Sequence, residues 1–170
     1  LQLEIGFGAG EHLAGQAKLH PDHGLIGCEP FINGVVGALQ HVQADGLENV
    51  RLHMGDALDV LACLPDASLE RVYLLHPDPW PKARHHKRRL VRSELMTLTA
   101  ERIRPGGTLH AATDWSEYAD QMLTVLAAEP LLRNEFDGFA PRPSWRPVTR
   151  FEAKGMRQGH PIHDLVFRRV

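Results

Sequence analysis

Short apolar runs, closed by Gly, Pro or Asp, alternate along the chain with longer segments whose apolar residues recur at helical spacing. The helical spacings predict helices at 11–20, 31–44, 57–63, 88–102 and 116–128. The apolar runs predict strands at 1–5, 25–28, 50–54, 69–75 and 108–113, with a last, partly exposed strand at 162–168. Because strands alternate with helices that can serve as crossover connections, the pattern predicts an α/β fold with a mostly parallel sheet.

Length and composition narrow the class of protein. The 170 residues suffice for one domain with its own core, so we expect a single domain over residues 1–170. Nineteen Lys and Arg are balanced by 21 Asp and Glu, which restricts any nucleic-acid surface to a local patch. Two cysteines are too few for a disulfide framework, and no apolar run is long enough to cross a bilayer. We therefore expect a soluble, cytoplasmic protein without a membrane partner.

The first residues of the chain and the stretch 138–147 each lead to a further expectation. The chain begins inside a strand-like run with no Met, which predicts that an upstream segment is missing. Near the other end, the proline-rich stretch 138–147 predicts an irregular loop of the kind that covers a binding site.

Three glycines follow the first predicted strand in the sequence EIGFGAG, at Gly6, Gly8 and Gly10. Glycines there let the backbone turn sharply and let a ligand approach closely. The spacing departs from the dinucleotide fingerprint because Glu11 begins the helix, where a carboxylate would oppose a pyrophosphate. The turn therefore favours a ligand that carries no phosphate at this point.

Acidic residues accompany the first three strands. Glu4 lies in the first, Glu29 ends the second, and Asp56 follows the third, directly before Ala57. Since the carboxyl ends of parallel strands meet at one edge of a sheet, we expect these acids to lie together. They suit a ligand with a ribose diol, an amino group and a sulfonium, which describes S-adenosyl-L-methionine. The alternative is that Glu29 and Asp56 only cap helices.

Prolines alternate with other residues after the fourth strand, in HPDPWPK at 76–82. They hold the backbone stiff and extended, which suits the fixing of one carboxylate and one indole. Asp78 is expected to face the ligand, while Trp80 either stacks on a base or closes the core.

A basic run follows at 82–92, with six Lys and Arg, two His and no acid. In a chain of net charge −2 this local excess predicts a phosphate-binding surface for RNA. The alternative is a solvated helix start, which the unfavourable interaction of cations with a helix N-terminus opposes.

Four segments together resemble the bacterial tRNA (guanine-N7-)-methyltransferases: LEIGFGAG at 3–10, HPDPWPKARHHKRR at 76–89, AATD at 111–114 and TRFEAKG at 149–155. The resemblance covers essentially the whole chain, and PDPWPK and TRFE are its specific pieces. It implies a Rossmann-like class I methyltransferase fold: a mostly parallel seven-stranded sheet, helices on both faces and an antiparallel C-terminal strand. It also implies S-adenosyl-L-methionine as methyl donor, tRNA as partner and guanine 46 of the variable loop as target.

The resemblance also assigns residues. Asp78 is implied as catalytic, and His76 stands where the family usually has Phe. The implied donor-binding residues are Glu4, Gly6, Gly8, Gly10, Glu29, Asp56, Ala57 and Asp78. The implied substrate contacts are Lys82, Asp114, Thr149, Arg150, Phe151 and Glu152. The implied RNA-binding stretch is Arg84, His85, His86, Lys87, Arg88 and Arg89.

The chemistry expected of such a site needs no general base. Guanine N7 carries an in-plane lone pair and no proton, so alignment and placed charge should carry catalysis. We expect Asp78 to accept hydrogen bonds from guanine N1–H and the N2 amino group, with Asp114 or Glu152 assisting.

Three other functions remain open from the sequence. The PDPWP order is close to that of enzymes that methylate amino groups on bases, which place an acid or amide before Pro-Pro-aromatic. A nicotinamide oxidoreductase is disfavoured by Glu11, and an RNA-binding module with an empty pocket is a third reading. The histidine pairs His85-His86 and His160 with His163 are not joined by Cys, so we expect no metal site. We expect no obligatory protein partner, and both a monomer and a homodimer remain open.

Overall fold

A computed structural model describes the backbone of residues 1–170 and every side chain except those of Arg150 and Phe151. Seven strands are present: β1 Gln2–Ile5, β2 Leu25–Cys28, β3 Val50–His53, β4 Leu69–Leu75, β5 Ile103–Thr113, β6 Leu132–Asn134 and β7 His163–Arg169. Six α-helices connect them: α1 Glu11–Leu19, α2 Ile32–Asp45, α3 Ala57–Cys63, α4 Ser93–Arg102, α5 Ser116–Ala128 and α6 Arg150–Arg157. A 3₁₀-helix, Ala83–Arg88, precedes α4.

All seven strands form one sheet in the order β3-β2-β1-β4-β5-β7-β6. The pairs from β3 through β5 are parallel, and β7 runs antiparallel to both β5 and β6. This confirms the Rossmann-like α/β fold with a mostly parallel seven-stranded sheet. The chain reverses its direction of winding at β1, which lies between β2 and β4, and ligands of such sheets bind at the carboxyl ends of the strands beside that point.

Two apolar clusters sandwich the sheet. One joins Phe7, Leu13 and Leu25 to α2 through Val35 and Ala38. The other is larger and packs α3, α4 and α5 against the opposite face; its fully buried members include Leu61, Val72, Met96, Leu109, Tyr118 and Phe167. Helices therefore cover both faces, as the resemblance implies. No helix of the described residues is long and apolar enough to span a bilayer.

The structure differs from the predicted elements in the region of the basic run. The helix predicted at 88–102 begins at Ser93, and the basic residues before it form the 3₁₀-helix. Four basic side chains in the last turn of that short helix would oppose the dipole of a continuous α-helix at its N-terminus. The sequence analysis also missed β6 and α6, while β5 begins earlier than predicted, with an irregular register between Leu69 and Arg71 of its neighbour β4.

Candidate active site

A cavity of about 770 Å³ opens at the carboxyl ends of β1 through β4. It is lined by seven of the eight residues predicted to bind a donor: Glu4, Gly6, Gly8, Glu29, Asp56, Ala57 and Asp78. Residues that lie more than 70 positions apart in the sequence thus converge on one space. A second cavity of about 510 Å³ lies on the face of the sheet formed by β4, β5 and β7, and none of the predicted site residues lines it.

The glycine turn has the backbone conformation that only glycine adopts without strain. The φ angles are 74° at Gly6, 56° at Gly8 and 86° at Gly10. Gly10 differs from the other two in its surroundings, because it lies outside the cavity and a Cβ there would be 2.6 Å from the Cβ of Ala38. Gly10 therefore allows the start of α1 to approach α2, and its contribution to ligand binding is indirect.

Glu29 ties the glycine turn to the end of β2. It is 6% exposed, and its Oε2 accepts a hydrogen bond from the Gly8 N–H at 3.0 Å. Its Oε1 accepts from the Phe31 N–H at 3.1 Å. A carboxylate has about four lone-pair positions, so each oxygen can accept a further bond from a ligand hydroxyl. Glu29 thus shapes the cavity wall as well as offering acceptors to its contents.

The other two acids of this edge differ in exposure. Glu4 is buried, and its Oε2 lies 2.9 Å from His12 Nδ1. Asp56 is exposed, and its Oδ1 accepts a hydrogen bond from the Leu58 N–H at 2.9 Å, which makes it the N-cap of α3. Asp56 therefore caps a helix and lines the cavity at once, so the two interpretations offered for it are compatible.

The proline-rich loop after β4 presents Asp78 to the cavity. Asp78 is exposed at the cavity wall, between Pro77 and Pro79. Two nearby residues have positive φ, 52° at His76 and 43° at Trp80, a strain that side chains rarely accept outside functional loops. The backbone N–H of His76 donates to the Ala112 carbonyl at 2.7 Å and so fixes the start of the loop to β5.

His76 makes one wall of the cavity more polar than a phenylalanine would. Both of its ring nitrogens are buried and have no hydrogen-bond partner among the described residues. Burial lowers the pKa of His76, and the positive charge of Arg146 lowers it further. The ring is therefore neutral near pH 7.

The basic run divides into exposed and buried members. Lys82, Arg84, Lys87 and Arg88 are exposed, and His85 and His86 are partly exposed. These six residues, four Lys or Arg and two His, follow one another along the chain with Ala83 between the first two, and we call them the basic segment. Only Arg88 of the six lines the cavity, so the segment begins at the cavity mouth and extends away from it.

Arg89 does not share that surface. It is 1% exposed, and its guanidinium binds the Glu117 carboxylate through both Nη atoms. Its Nε donates to the Pro79 carbonyl at 2.8 Å, and the guanidinium lies 4.7 Å from the centroid of the Tyr118 ring. In this structure Arg89 holds the loop at 76–82 to α5, and its predicted contact with RNA stays a prediction.

The segment TRFE connects α6 to the site through its first residue. Thr149 lines the cavity and is the N-cap of α6, where its hydroxyl accepts a hydrogen bond from the Glu152 N–H at 3.3 Å. The side chains of Arg150 and Phe151, both predicted to contact substrate, lie outside the described residues.

Glu152 is fully buried and belongs to an ion-pair network that the sequence analysis missed. Its carboxylate accepts from Arg142 and from Arg146, and Arg146 also binds Asp164 of β7 at 2.9 Å. Burial alone would raise the pKa of Glu152, but the hydrogen bond from Arg142 and the charges of both arginines outweigh it and lower the pKa. Burial raises the pKa of Asp164 to about 6, against the charge of Arg146.

This network fastens the loop predicted at 138–147 to α6 and β7. Arg142 and Arg146 stand alone in the loop at 138–147, a pattern that predicts solvent-exposed charges. The sequence therefore could not indicate that they form ion pairs inside the protein. Asp114, at the end of β5, is more accessible: its Oδ2 lies 3.6 Å from His160 Nδ1, and it does not line the cavity. The structure thus brings Thr149 and Asp78 to one cavity, and leaves Lys82, Asp114 and Glu152 outside it.

The chemistry of the cavity suits a nucleoside better than a nucleotide. Its lining contains five carboxylates and one cation, Arg88; the carboxylates are Glu4, Glu29, Asp56, Asp78 and, at the start of α1, Glu11. Such a lining repels phosphate and provides acceptors for hydroxyl and amino groups. It also favours a ligand with positive charge, since a cation among carboxylates is stabilised.

Comparison with known proteins places these features in a family. Residues 1–165 match the family model described as "Putative methyltransferase". The chain is 51% identical over 168 residues to a tRNA (guanine-N(7)-)-methyltransferase of Ralstonia nicotianae, covering 98% of this chain and 67% of that protein. It is 48% identical over 174 residues to the protein of the same name from Zymomonas mobilis, covering 100% of this chain and 75% of that one.

Solved structures with low sequence identity share the fold. The aminoglycoside resistance methyltransferase NpmB1 superimposes with a TM-score of 0.65 at 17% identity, over 99% of this chain and 86% of that one. Precorrin-6y C5,15-methyltransferase from Geobacter metallireducens gives a TM-score of 0.69 at 12% identity, over 99% of this chain and 78% of that one. At such identities the likeness establishes the architecture alone.

Proposed function

Since this chain belongs to the methyltransferase family whose curated members are named tRNA (guanine-N(7)-)-methyltransferases, we propose that it methylates N7 of a guanine in tRNA. S-adenosyl-L-methionine is the methyl donor, and 7-methylguanosine is the product. By its resemblance to the family, the target is guanine 46 of the variable loop.

The observation that carries the proposal is the convergence of Glu29, Asp56 and Asp78 on one cavity at the edge where the sheet changes winding direction. This cavity fits the donor on the evidence of its own residues. A Cβ at Gly34 would lie 2.4 Å from the Gly8 carbonyl oxygen, so the wall around the glycine turn is packed to contact. The carboxylates supply acceptors for a ribose diol and amino groups, and the lining has one cation, Arg88, against five carboxylates.

The residues that would hold the donor follow from their positions. Glu29 offers carboxylate oxygens for the ribose hydroxyls, and Asp56 offers one for an amino group of the base. Glu4 adds negative charge at the floor, and Gly6 and Gly8 keep the turn free of side chains. When bound, the donor supplies an electrophilic methyl group on a positively charged sulfur.

Asp78 is the residue proposed to act on the methyl acceptor. Guanine N7 needs no deprotonation, because its in-plane lone pair attacks the methyl carbon directly. Asp78 can instead accept hydrogen bonds from guanine N1–H and the N2 amino group, and so turn N7 toward the donor cavity. As the ring gains positive charge on methylation, the nearby carboxylate also stabilises it.

Of the two assisting carboxylates expected from the sequence, one is already occupied. Glu152 is committed to Arg142 and Arg146, so its contribution is to hold α6 and Thr149 in place. Asp114 retains an accessible carboxylate at the end of β5 and remains the candidate for a second contact with the substrate.

The basic segment is proposed to bind the tRNA backbone. Its exposed cations begin at the cavity mouth, so phosphates near the target guanine would meet them as the base enters. A base that leaves its stacked position costs a few kcal/mol, and phosphate contacts of this kind help to offset that cost.

Mass spectrometry of nucleosides tests the proposal. Unmodified tRNA is incubated with the protein and donor, digested and compared with tRNA incubated without donor. We expect 7-methylguanosine, and its loss when adenosine replaces guanine 46. A methylated amino group in the product would instead support the rival enzyme class, and RNA binding without any methylation would support the binding-module interpretation.

A further inference from the structure

Trp80 is an aromatic residue of the cavity wall that the proposed reaction has not yet used. It is two residues from Asp78, is partly exposed and lines the same cavity. It belongs to none of the three buried apolar clusters of the described residues, so its indole does not close the core. Pro79 and Pro81 flank it, and its φ of 43° is a strained backbone conformation of the kind found at functional sites.

The guanidinium of Arg88 already lies over the face of the Trp80 indole ring. The guanidinium carbon of Arg88 lies 4.9 Å from the indole centroid, within the range of a cation–π contact. Arg88 is exposed, and among the described side chains no hydrogen bond or ion pair holds its guanidinium. Its neighbour Arg89 is buried and bound by three other residues, so of the two arginines only Arg88 is free to move.

The methylated base resembles that cation. A guanine taken out of its stack exposes two apolar ring faces, and proteins that hold such bases commonly stack them on aromatic side chains. N7-methylation makes the ring a planar cation, which the face of an indole attracts more strongly than a neutral ring.

We propose that Trp80 is the platform on which the target guanine stacks, and that Arg88 covers this platform until RNA arrives. On binding, the guanine takes the place of the guanidinium, and Arg88 transfers to a phosphate of the same RNA. This inference rests on the proposed function and adds a substrate-contacting residue and its displaceable cover. The exchange keeps the indole face covered in both states.

Binding of free nucleosides separates stacking from backbone contacts. Wild-type protein, saturated with demethylated donor product, is titrated with 7-methylguanosine and with guanosine. We expect 7-methylguanosine to bind about fivefold more tightly, as one cation–π contact allows. Trp80→Leu should reduce that preference to within about twofold, Trp80→Phe should keep most of it, and both should bind the donor product as the wild type does, within about threefold.

Arg88→Ala gives a result that a general structural role would not produce. Free 7-methylguanosine has no phosphate, so removal of the cover should strengthen its binding by about threefold, while tRNA loses a phosphate contact and should bind about threefold more weakly. The opposite signs identify the exchange.

The proposal is overturned if Trp80→Leu keeps the preference for 7-methylguanosine, or if Arg88→Ala weakens nucleoside and tRNA binding alike. A Trp80→Leu protein that loses affinity for the donor product as well would show that the indole shapes the donor cavity, and would overturn it too. Failure of the proposed function is a separate outcome, since it appears as absence of methylation by the wild-type protein.

Discussion

In the proposed reaction, the carboxylate of Asp78 lies between the methyl donor and the acceptor guanine. Its backbone is fixed by prolines on both sides, and its side chain reaches the wall of the cavity that Glu29 and Asp56 also line. Among the described residues, no hydrogen bond or ion pair involves the carboxylate of Asp78. Its rigid placement is therefore not explained by a role within the fold. Its position is understandable if it binds the acceptor base.

Replacement of Asp78 by Asn tests that role while keeping the shape of the side chain. The amide cannot accept both guanine N–H groups with a full negative charge, so kcat should fall by about 10²-fold or more. Donor affinity, measured by calorimetry, should stay within about threefold, because Glu29 and Asp56 remain. Unchanged turnover would remove Asp78 from the mechanism.

At the level of residues, the sequence showed which side chains have the chemistry for a binding site, but it did not show which charged side chains are buried. Glu29, Asp56 and Asp78 were recognisable because each lies within three residues of the end of a strand, and strand ends converge in a parallel sheet. The burial of Arg89 and Glu152 was not predicted, because a charge in a motif does not reveal whether it is solvated. Arg89 pairs with Glu117, 28 residues further along the chain, whereas Glu152 pairs with Arg146, six residues before it.

At the level of elements, Arg89 connects α5 to the proline-rich loop. Its Ala variant would leave the Pro79 carbonyl and Glu117 without their partner, so the free energy of unfolding should fall by about 1–3 kcal/mol. The adjacent Arg88→Ala change, at an exposed position, should alter it by less than about 0.5 kcal/mol. Urea unfolding of the two variants makes the comparison, and equal effects would contradict the assignment of Arg89 as the buried member.

The basic segment supports a prediction about salt. Arg84→Ala combined with Lys87→Ala removes two exposed cations, so the slope of log affinity for tRNA against log salt should decrease by about 2 in magnitude. Lys18→Ala with Arg133→Ala removes the same charge elsewhere and serves as the control. If both double variants retain the wild-type slope, the segment does not contact RNA.

Elements with a strong hydrophobic period were predictable, and those without one were not. The pattern located β4 at 69–75 and α3 at 57–63 with the bounds that the structure has. The three-residue strand β6 is too short for a period, and α6 begins at the Thr149 cap with Glu152 in the ion-pair network. The predicted helix began five residues early, at 88, because the apolar spacing of Leu90, Val91 and Leu95 extends into the end of the basic run.

At the level of the whole molecule, the order of strands makes the site. Strands are added on both sides of β1, so β1 and β4 are neighbours in the sheet. The glycine turn after β1 therefore lies opposite the loop at 76–82 after β4. The α/β class followed from alternation of strands and helices, and the resemblance implied the seven strands and the antiparallel C-terminal strand. The order of the strands was not predicted. The fastening of the loop at 138–147 through Arg142 and Arg146 could be seen only in three dimensions.

A crystal structure with the demethylated donor product, S-adenosyl-L-homocysteine, is the most direct test of the account. We expect the nucleoside in the 770 Å³ cavity, its ribose beside Glu29, its adenine beside Asp56 and its sulfur directed toward Asp78. A ligand bound elsewhere, or a cavity that stays empty at saturating concentration, would contradict it.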